Sequence, residues 1–431
     1  MSSGPPRALV LAIGEELLQG RIADTNSSWL ARELLGLGFE VRSLLTVGDV
    51  PGDLQRALAD ADGSFALVVS TGGLGPTADD RVRAEAAASA GVSLQDVAGA
   101  VETLDRLFRS RYHNSAPDPY LAQGRVPAGA RPLANAAGTA WAFALDLPRG
   151  SRYVSLPGPP REAAAAWNEG GGRAACAERG PAQSRLLYRT FHTTGQPESA
   201  VEARIRELLA DSVNPTFGIT ANADAVTVSV LARGMEAGPS AAELMSAADA
   251  LLRSRLGDLL WGCDGETLAE VTVRGLIQAG ATVACAESCT GGRIAAALTS
   301  VPGASAVFGA GWVCYANESK TRDLGVGAAT LSQHGAVSEQ VAVELARGAR
   351  ARAGATWGLS ATGIAGPEGG TAAKPVGLVW LGIAGPAGAY AVPRQQWSRG
   401  GRDSIQRQTV RDALDALRRE LGGLPRLGPR L

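Results

Sequence analysis

Of the 41 basic residues in this 431-residue chain, Lys320 and Lys374 are lysine and all the others are arginine. Where composition favours arginine, a surface position that needs only positive charge drifts to it, so a retained lysine marks a place where arginine fails. Arginine stays protonated in any protein setting, whereas a desolvated lysine can lose its proton and act as a base. Lys320 ends the stretch "GWVCYANESK" (311–320) and Lys374 lies in "TGIAGPEGGTAAKPVG" (362–377), both rich in glycine and hydroxyl side chains. Upstream, "AESCTGG" (286–292) puts Ser288, Thr290 and the amides of Gly291 and Gly292 between an apolar run and a helical one. A helix amino terminus of this kind attracts anions, phosphate included. "PGASAVF" (302–308) opens the run that carries Tyr315, and "ATGIAGPEGG" (361–370), with Thr362 and Gly363, is a second glycine-rich loop. Serine, tyrosine and lysine without a usable histidine suggest a serine nucleophile whose proton goes to a neutral lysine or a tyrosinate.

A second constellation lies near the amino terminus. "STGGLGPTADD" (70–80) follows the apolar "FALVV" as a phosphate-cradling loop should, and its Thr71, Gly72, Gly73, Gly75 and Thr77 let backbone amides approach a diphosphate. Asp79 and Asp80 close that loop, Glu15 and Glu16 stand in "IGEELLQG" (13–20), and Asp49 ends "TVGD" (46–49). Carboxylates at neighbouring strand ends share one cleft and, around a divalent cation, suit attack on a phosphoanhydride.

These residues need elements to position them. In residues 1–170, "RALVLAIG" and "FALVVSTGG" read as buried parallel strands, with the strand "FEVRSLLTVGD" between two helices. The first helix, "NSSWLARELLGLG" (26–38), has Asn26 as its cap, Trp29, Leu30 and Leu34 on one face and Gly38 as its stop. This alternation predicts a doubly wound sheet with ligands at the carboxyl ends of the strands. A glycine- and alanine-rich boundary, "NEGGGRAACAERGPAQ" (168–183), precedes a small α+β module over 171–262. Without a GxxG loop or a basic stripe, that module reads as a spacer or assembly domain and not as a nucleic-acid binder. From 263 to 431 a third α/β unit follows: helix 266–279, strand 281–286, helix 338–353, strands near 356–362, 375–384 and 389–398, and a helix over 402–420. Its tail "GGLPRLGPRL" is expected to fray. The fold class is therefore α/β and multidomain.

Bulk properties narrow the function. A net charge of −1 and a pI near 6.4 give no general pull toward nucleic acid or anionic membrane. Five cysteines without a CxxC pair suggest a reduced, cytoplasmic setting, and His113, His192 and His334 lack metal-site spacing. No run of about 18 apolar residues offers a membrane span, and the amino terminus reads as a first strand and not as a signal peptide.

"AESCTGG", "GWVCYANESK", "HGAVSE", "TGIAGP", "KPVGLVW" and "GGRDSIQRQ" occur in the order found in the CinA carboxyl-terminal domain family, which residues 265–420 resemble. The resemblance implies hydrolysis of the carboxamide of nicotinamide mononucleotide (NMN) to nicotinic acid mononucleotide and ammonia, without a cofactor. It implies Ser305 as nucleophile with Tyr315 and Lys320 activating it, and Ser288, Thr290, Gly291, Thr362, Gly363 and Arg402 around the substrate. The loop "SRGGRD" (398–403) is one residue longer than the family's, leaving Arg402 and Arg407 as alternative phosphate contacts. Residues 7–170, with "NAAGTA" (135–140) and "PGPPRE" (157–162), are similar to the MoaB/MogA-like, molybdopterin-binding type of domain as it occurs at the amino terminus of CinA proteins. That similarity implies an ADP-ribose pyrophosphatase using Glu15, Asn26, Thr71, Gly72, Gly73, Gly75 and Thr77 for substrate. Asp49, Asp79 and Asp80 would hold Mg, Co or Mn, with K+ as a further ion. "SAPDPYLAQG" (115–124) and "GTAWA" (138–142) depart from the family pattern near this pocket. A homodimer follows from the same resemblance. Its rivals are a pterin-binding protein and a non-catalytic competence or DNA-repair adaptor with a recombination-protein partner.

Overall fold

The computed structural model describes residues 5–181, 186–222, 225–235, 238–396 and 400–430. The expected extra residue of "SRGGRD" involves 398 and 399, which lie outside the described residues, as do 182–185 at the start of the middle module. By internal contacts the chain divides into two compact units, Met1–Tyr188 with Leu231–Met245, and Arg189–Val230 with Ser246–Leu431.

In the first unit Arg7–Ile13 pairs in parallel with Glu40–Val47 on one side and Leu67–Thr71 on the other. The six-stranded sheet continues through Arg152–Leu156, parallel, and then Ala142–Asp146 and Arg131–Leu133, antiparallel. Successive side chains of the first strand enter different cores. Ala8 and Val10 pack with Leu30 and Leu34 of helix Asn26–Gly36, while Leu9, Leu11 and Ile13 pack with Leu54 and Leu58 of helix Asp53–Ala61. Helices thus cover both faces, which is why the strand is apolar at every position. The chain leaves Arg7–Ile13 toward one neighbour and returns on its other side, so the crevice at the carboxyl ends of Arg7–Ile13 and Leu67–Thr71 is a topological switch point. One local expectation is corrected. Asn26 does not cap its helix; Asp24 Oδ1 accepts the Ser27 amide at 2.9 Å instead.

The second unit holds most of a four-stranded sheet, ordered Thr216–Ala221, Val226–Arg233, Leu186–Thr193, Leu260–Cys263. A capping box then starts helix Leu268–Gln278, with the Thr267 hydroxyl and the Glu270 carboxylate each satisfying the other's amide. A five-stranded sheet follows, ordered Phe308–Val313, Val283–Glu287, Trp357–Gly363, Leu378–Gly385, Gly388–Gln395; its first three strands are parallel. Helix Glu339–Ala353 lies so close on this sheet that a Cβ at Gly358 or Gly382 would sit 2.1 or 2.2 Å from the carbonyl oxygens of Ala346 and Ala342. The tail does not fray through residue 430. Arg430 bridges to Arg394 and pairs at 3.1 Å with Asp412, a fully buried carboxylate of helix Gly401–Leu421, and Leu427 is buried. A buried charge needs its partners, and that demand fixes the tail.

Candidate functional site

In the five-stranded sheet the register pairs Glu287 with Val313 and with Ala361, so three parallel strands end at one edge. Ser288 and Tyr315, which follow two of them, and Thr362, the penultimate residue of the third, therefore come to that edge together. The Ser288 amide donates to Ala361 O at 2.9 Å and the Cys314 amide to Glu287 O at 2.8 Å, which ties the three strand ends. Lys320, in the first turn of helix Asn317–Leu324, is 1% exposed and donates through Nζ to Tyr315 O at 3.1 Å and Ala316 O at 3.5 Å. Burial lowers its pKa below the ordinary lysine value. Arg402 donates from Nη2 to Tyr315 Oη at 2.6 Å and from Nη1 to Gly366 O at 2.9 Å, joining the long helix and the glycine-rich loop to the site. Gln406, on the same helix, donates to Cys289 O at 2.7 Å. The Thr362 hydroxyl is committed to Ala336 O at 2.8 Å, whereas the buried Thr290 Oγ1 has no partner. Arg407, the alternative to Arg402, is half exposed and pairs with Asp403 at 2.8 Å. Lys374 donates to His334 O at 2.8 Å and anchors its loop.

Two expectations meet a different arrangement here. Within one chain Ser305 is not brought to Tyr315 and Lys320. It lies exposed in the single turn Ala304–Ala306, before strand Phe308–Val313, and Tyr315 lies after that strand. At about 3.3 Å per residue the strand separates them by roughly 17 Å. The serine at the lysine's edge is Ser288. The glycine amides after it are not open to phosphate either, because Glu287, 1% exposed, turns its carboxylate onto them. It accepts from Gly292 N at 3.1 Å, Ile294 N at 2.9 Å and Ala295 N at 2.8 Å. An internal anion thus occupies the start of helix Arg293–Thr299. Its signal in the sequence was an acid five residues ahead of the "GG" amides.

The first unit's switch-point crevice opens into a cleft of about 650 Å³ that is lined by Glu16, Asp24, Asp49, Asp79, Asp80 and Glu162 and, among the described residues, by no arginine or lysine. Asn26, freed from capping, donates to Gly158 O at 2.7 Å and lies 3.4 Å from Thr71 Oγ1. Gly72 has φ +105°, and a Cβ there would meet Ile13 O at 2.2 Å, so the loop passes against the first strand as a side chain would forbid. Gly73 and Gly75 line the same wall. Asp49 accepts the Glu15 amide at 3.1 Å; burial raises its pKa, and the neighbouring charges of Glu16, Asp79 and Glu15 add to the rise. Glu16 faces the cleft, whereas Glu15 is not on its lining and packs against Gly48. Thr77 is also off the lining and donates both its amide and its hydroxyl to Asp80. Glu162 was not anticipated. It accepts from Asn135 Nδ2 at 2.7 Å and so joins "NAAGTA" to "PGPPRE". The two departing segments meet at this wall too, where Thr139 donates to Gln123 at 2.9 Å. Among the described residues no three acids, histidines or cysteines converge into a ready-made metal cage. The carboxylate lining nonetheless fits a hard divalent cation that one or two carboxylates hold and substrate phosphates complete.

Fold and sites together define a multidomain α/β protein, with a polar cluster or cleft at the carboxyl edge of each of two sheets. Three family models match successive segments: "Probable molybdopterin binding domain" at 9–171, "Damage-inducible protein CinA KH domain" at 188–262, and "CinA C-terminal domain" at 265–421. The chain belongs to the CinA family. It is 40% identical to a "CinA-like protein" of Gloeobacter violaceus over 96% of this chain and 97% of that one. It is 38% identical to a "Putative competence-damage inducible protein" of Symbiobacterium thermophilum over 96% and 99%. Among solved structures, a competence/damage inducible protein CihA from Agrobacterium tumefaciens is 43% identical over 36% of this chain and 97% of its own, with a TM-score of 0.34. The sequence alone did not reveal the middle segment as a KH domain, because it lacks the GXXG loop by which such domains are recognised. Among the described residues no helix is long and apolar enough to cross a membrane.

Proposed function

We propose that the carboxyl-terminal domain hydrolyses the carboxamide of NMN and that the amino-terminal domain hydrolyses the pyrophosphate bond of ADP-ribose with a divalent cation. The observation that carries the first activity is Lys320: a buried ammonium, partnered by carbonyl oxygens, at the strand edge that also holds Ser288. Desolvation favours its neutral form, which is the form that can remove a hydroxyl proton. Ser288 Oγ attacks the amide carbonyl and its proton passes to Lys320 Nζ. The C–N bond breaks, and ammonia leaves with that proton. Water then hydrolyses the acyl-serine, releasing the acid and restoring the hydroxyl. Arg402, held against Tyr315, is the cation available for the substrate phosphate, and the unpartnered Thr290 hydroxyl is a ready donor or acceptor.

For the second activity the support is the charge of the cleft. Among the described residues, six carboxylates and no basic residue line it, and these would repel a diphosphate unless a cation came with it. Asp49 and Asp79 would hold that cation, which when bound would neutralise the phosphates and polarise the scissile bond. The glycine wall and Asn26 position the substrate against them.

The test is to incubate full-length protein with NMN, and separately with ADP-ribose plus magnesium, and to follow products by mass spectrometry. Ser288→Ala is expected to lose NMN conversion and to retain ADP-ribose cleavage. Folded wild-type protein that leaves NMN unchanged would refute the deamidase reading. Co-purification of a pterin, without ADP-ribose cleavage, would instead favour pterin binding in the first domain.

A further inference from the structure

A cavity of about 880 Å³ in the second unit shares no residue with either site described above. Arg204, Arg394, Arg411, Arg419, Arg426 and Arg430 line it, against two carboxylates among the described residues, Glu198 and Asp258. Asp258 is already paired with Arg419. Behind the wall one buried carboxylate, that of Asp412, is shared by three of these arginines, Arg394 at 2.8 Å, Arg411 at 2.8 Å and Arg430 at 3.1 Å. A second, Asp415, pairs with Arg419 at 2.9 Å. Burial pushes the Arg430 guanidinium down to about 10, with Asp412 opposing the shift.

Two further features point to a missing ligand. Arg394 is 2% exposed and Thr194 is 3% exposed, yet Arg394 Nη2 and Thr194 Oγ1 have no hydrogen-bond partner among the described residues. Native proteins leave few buried polar atoms unsatisfied, and here two belong to residues of the same cavity wall. In addition, the fourteen-residue helix Glu198–Asp211 begins at the wall, at Gln196 and Pro197, with no side chain capping its first amides. Helix-start amides without a side-chain cap and an unpaired guanidinium nitrogen both select a multiply charged oxyanion.

We propose that this cavity binds a compound carrying a pyrophosphate group, of the nucleoside diphosphate class, with Arg394, Arg430 and Thr194 holding its phosphate oxygens. The volume lies within the range of small-molecule pockets, and Val226, Leu259 and Leu427 supply apolar wall for the remainder of such a ligand. The site is separate from both proposed activities and does not depend on either.

Inorganic pyrophosphate is the probe, titrated calorimetrically into the full-length protein in EDTA, which removes any metal-dependent binding by the first domain. Wild type is expected to show saturable binding, weakened roughly tenfold or more by Thr194→Val and by Arg204→Ala, each removing one polar or charged contact. Arg204 is exposed, so that variant keeps its fold even if the buried threonine does not tolerate change. NMN turnover by both variants should match wild type. Absence of saturable pyrophosphate binding, or binding that both variants leave unchanged, overturns the proposal. Tight binding of a twelve-nucleotide RNA that pyrophosphate cannot displace overturns it in favour of a nucleic-acid surface.

Discussion

Replacing Lys320 tests the base most directly, because two substitutions separate charge from basicity. Lys320→Arg keeps a cation in the buried position but one that does not deprotonate in a protein, while Lys320→Met keeps the stem and removes the nitrogen. A positioned general base contributes about 10²–10⁴ in rate, or roughly 2.7–5.4 kcal/mol at 1.36 kcal/mol per decade. Both variants should therefore lose at least about a hundredfold in kcat with NMN. The structural cost is smaller. Of the two hydrogen bonds from Nζ, the one to Tyr315 O at 3.1 Å is well formed and the one to Ala316 O at 3.5 Å is long. Methionine thus leaves about one buried carbonyl unsatisfied, at roughly 1–3 kcal/mol. Thermal melting gives that term separately from the kinetic loss. Wild type should also show kcat/KM rising with pH through a pKa below the ordinary lysine value, since the neutral amine is the active form and burial depresses its pKa. Lys320→Arg retaining activity within threefold, with an unaltered pH profile, would refute the role of Lys320 as base.

Three other outcomes follow from particular contacts. Ser305→Ala should leave NMN turnover unchanged within error while Ser288→Ala abolishes it; the reverse pattern in steady-state assays would overturn the strand-edge assignment. Asp412→Asn leaves three guanidiniums around an uncharged side chain and should cost about 3–5 kcal/mol, roughly a 6–20 °C fall in melting temperature by calorimetry. Although burial alone would raise the Asp412 pKa, its arginines lower it below 3.8. Its contribution to stability is therefore full above that pH and lost as the pH falls toward the depressed folded value, so acid unfolding should begin earlier in the variant. Thr267→Ala removes one half of a capping box and should destabilise by about 1 kcal/mol in denaturant titration, without altering either activity.

Much of the fold was legible because its signals are local. Apolar runs such as "ALVLAI" and "LVVST" record strands covered on both faces, and glycine turns mark their carboxyl ends. The elements read over 338–353 and 402–420 lie within a residue or so of Glu339–Ala353 and Gly401–Leu421. What failed depended on partners distant in sequence. Asn26 carries the residue type of a cap, but Asp24 caps first and Gly158, 132 positions away, takes the amide. The arginine- and proline-rich tail resembles a frayed end until buried Asp412 is known to need Arg430.

The placement of Ser305 has a more general cause. Ser305 stands ten positions before Tyr315 and Ser288 twenty-seven before it, so proximity along the chain points to Ser305. In a parallel sheet the relevant distance is measured by strand ends. Residues that follow successive parallel strands share an edge however long the crossover between them, and residues flanking one strand are held apart by its length. Ser288 and Tyr315 each follow a strand and Thr362 is the penultimate residue of one, whereas Ser305 precedes one. The first unit obeys the same rule, since Gly14, Asp49 and Thr71–Gly75 lie at or just beyond strand ends and line one cleft, although they are spread over some sixty positions. Sorting polar residues by the strand end they follow, before any motif is weighed, groups Ser288 with Tyr315 from the sequence itself.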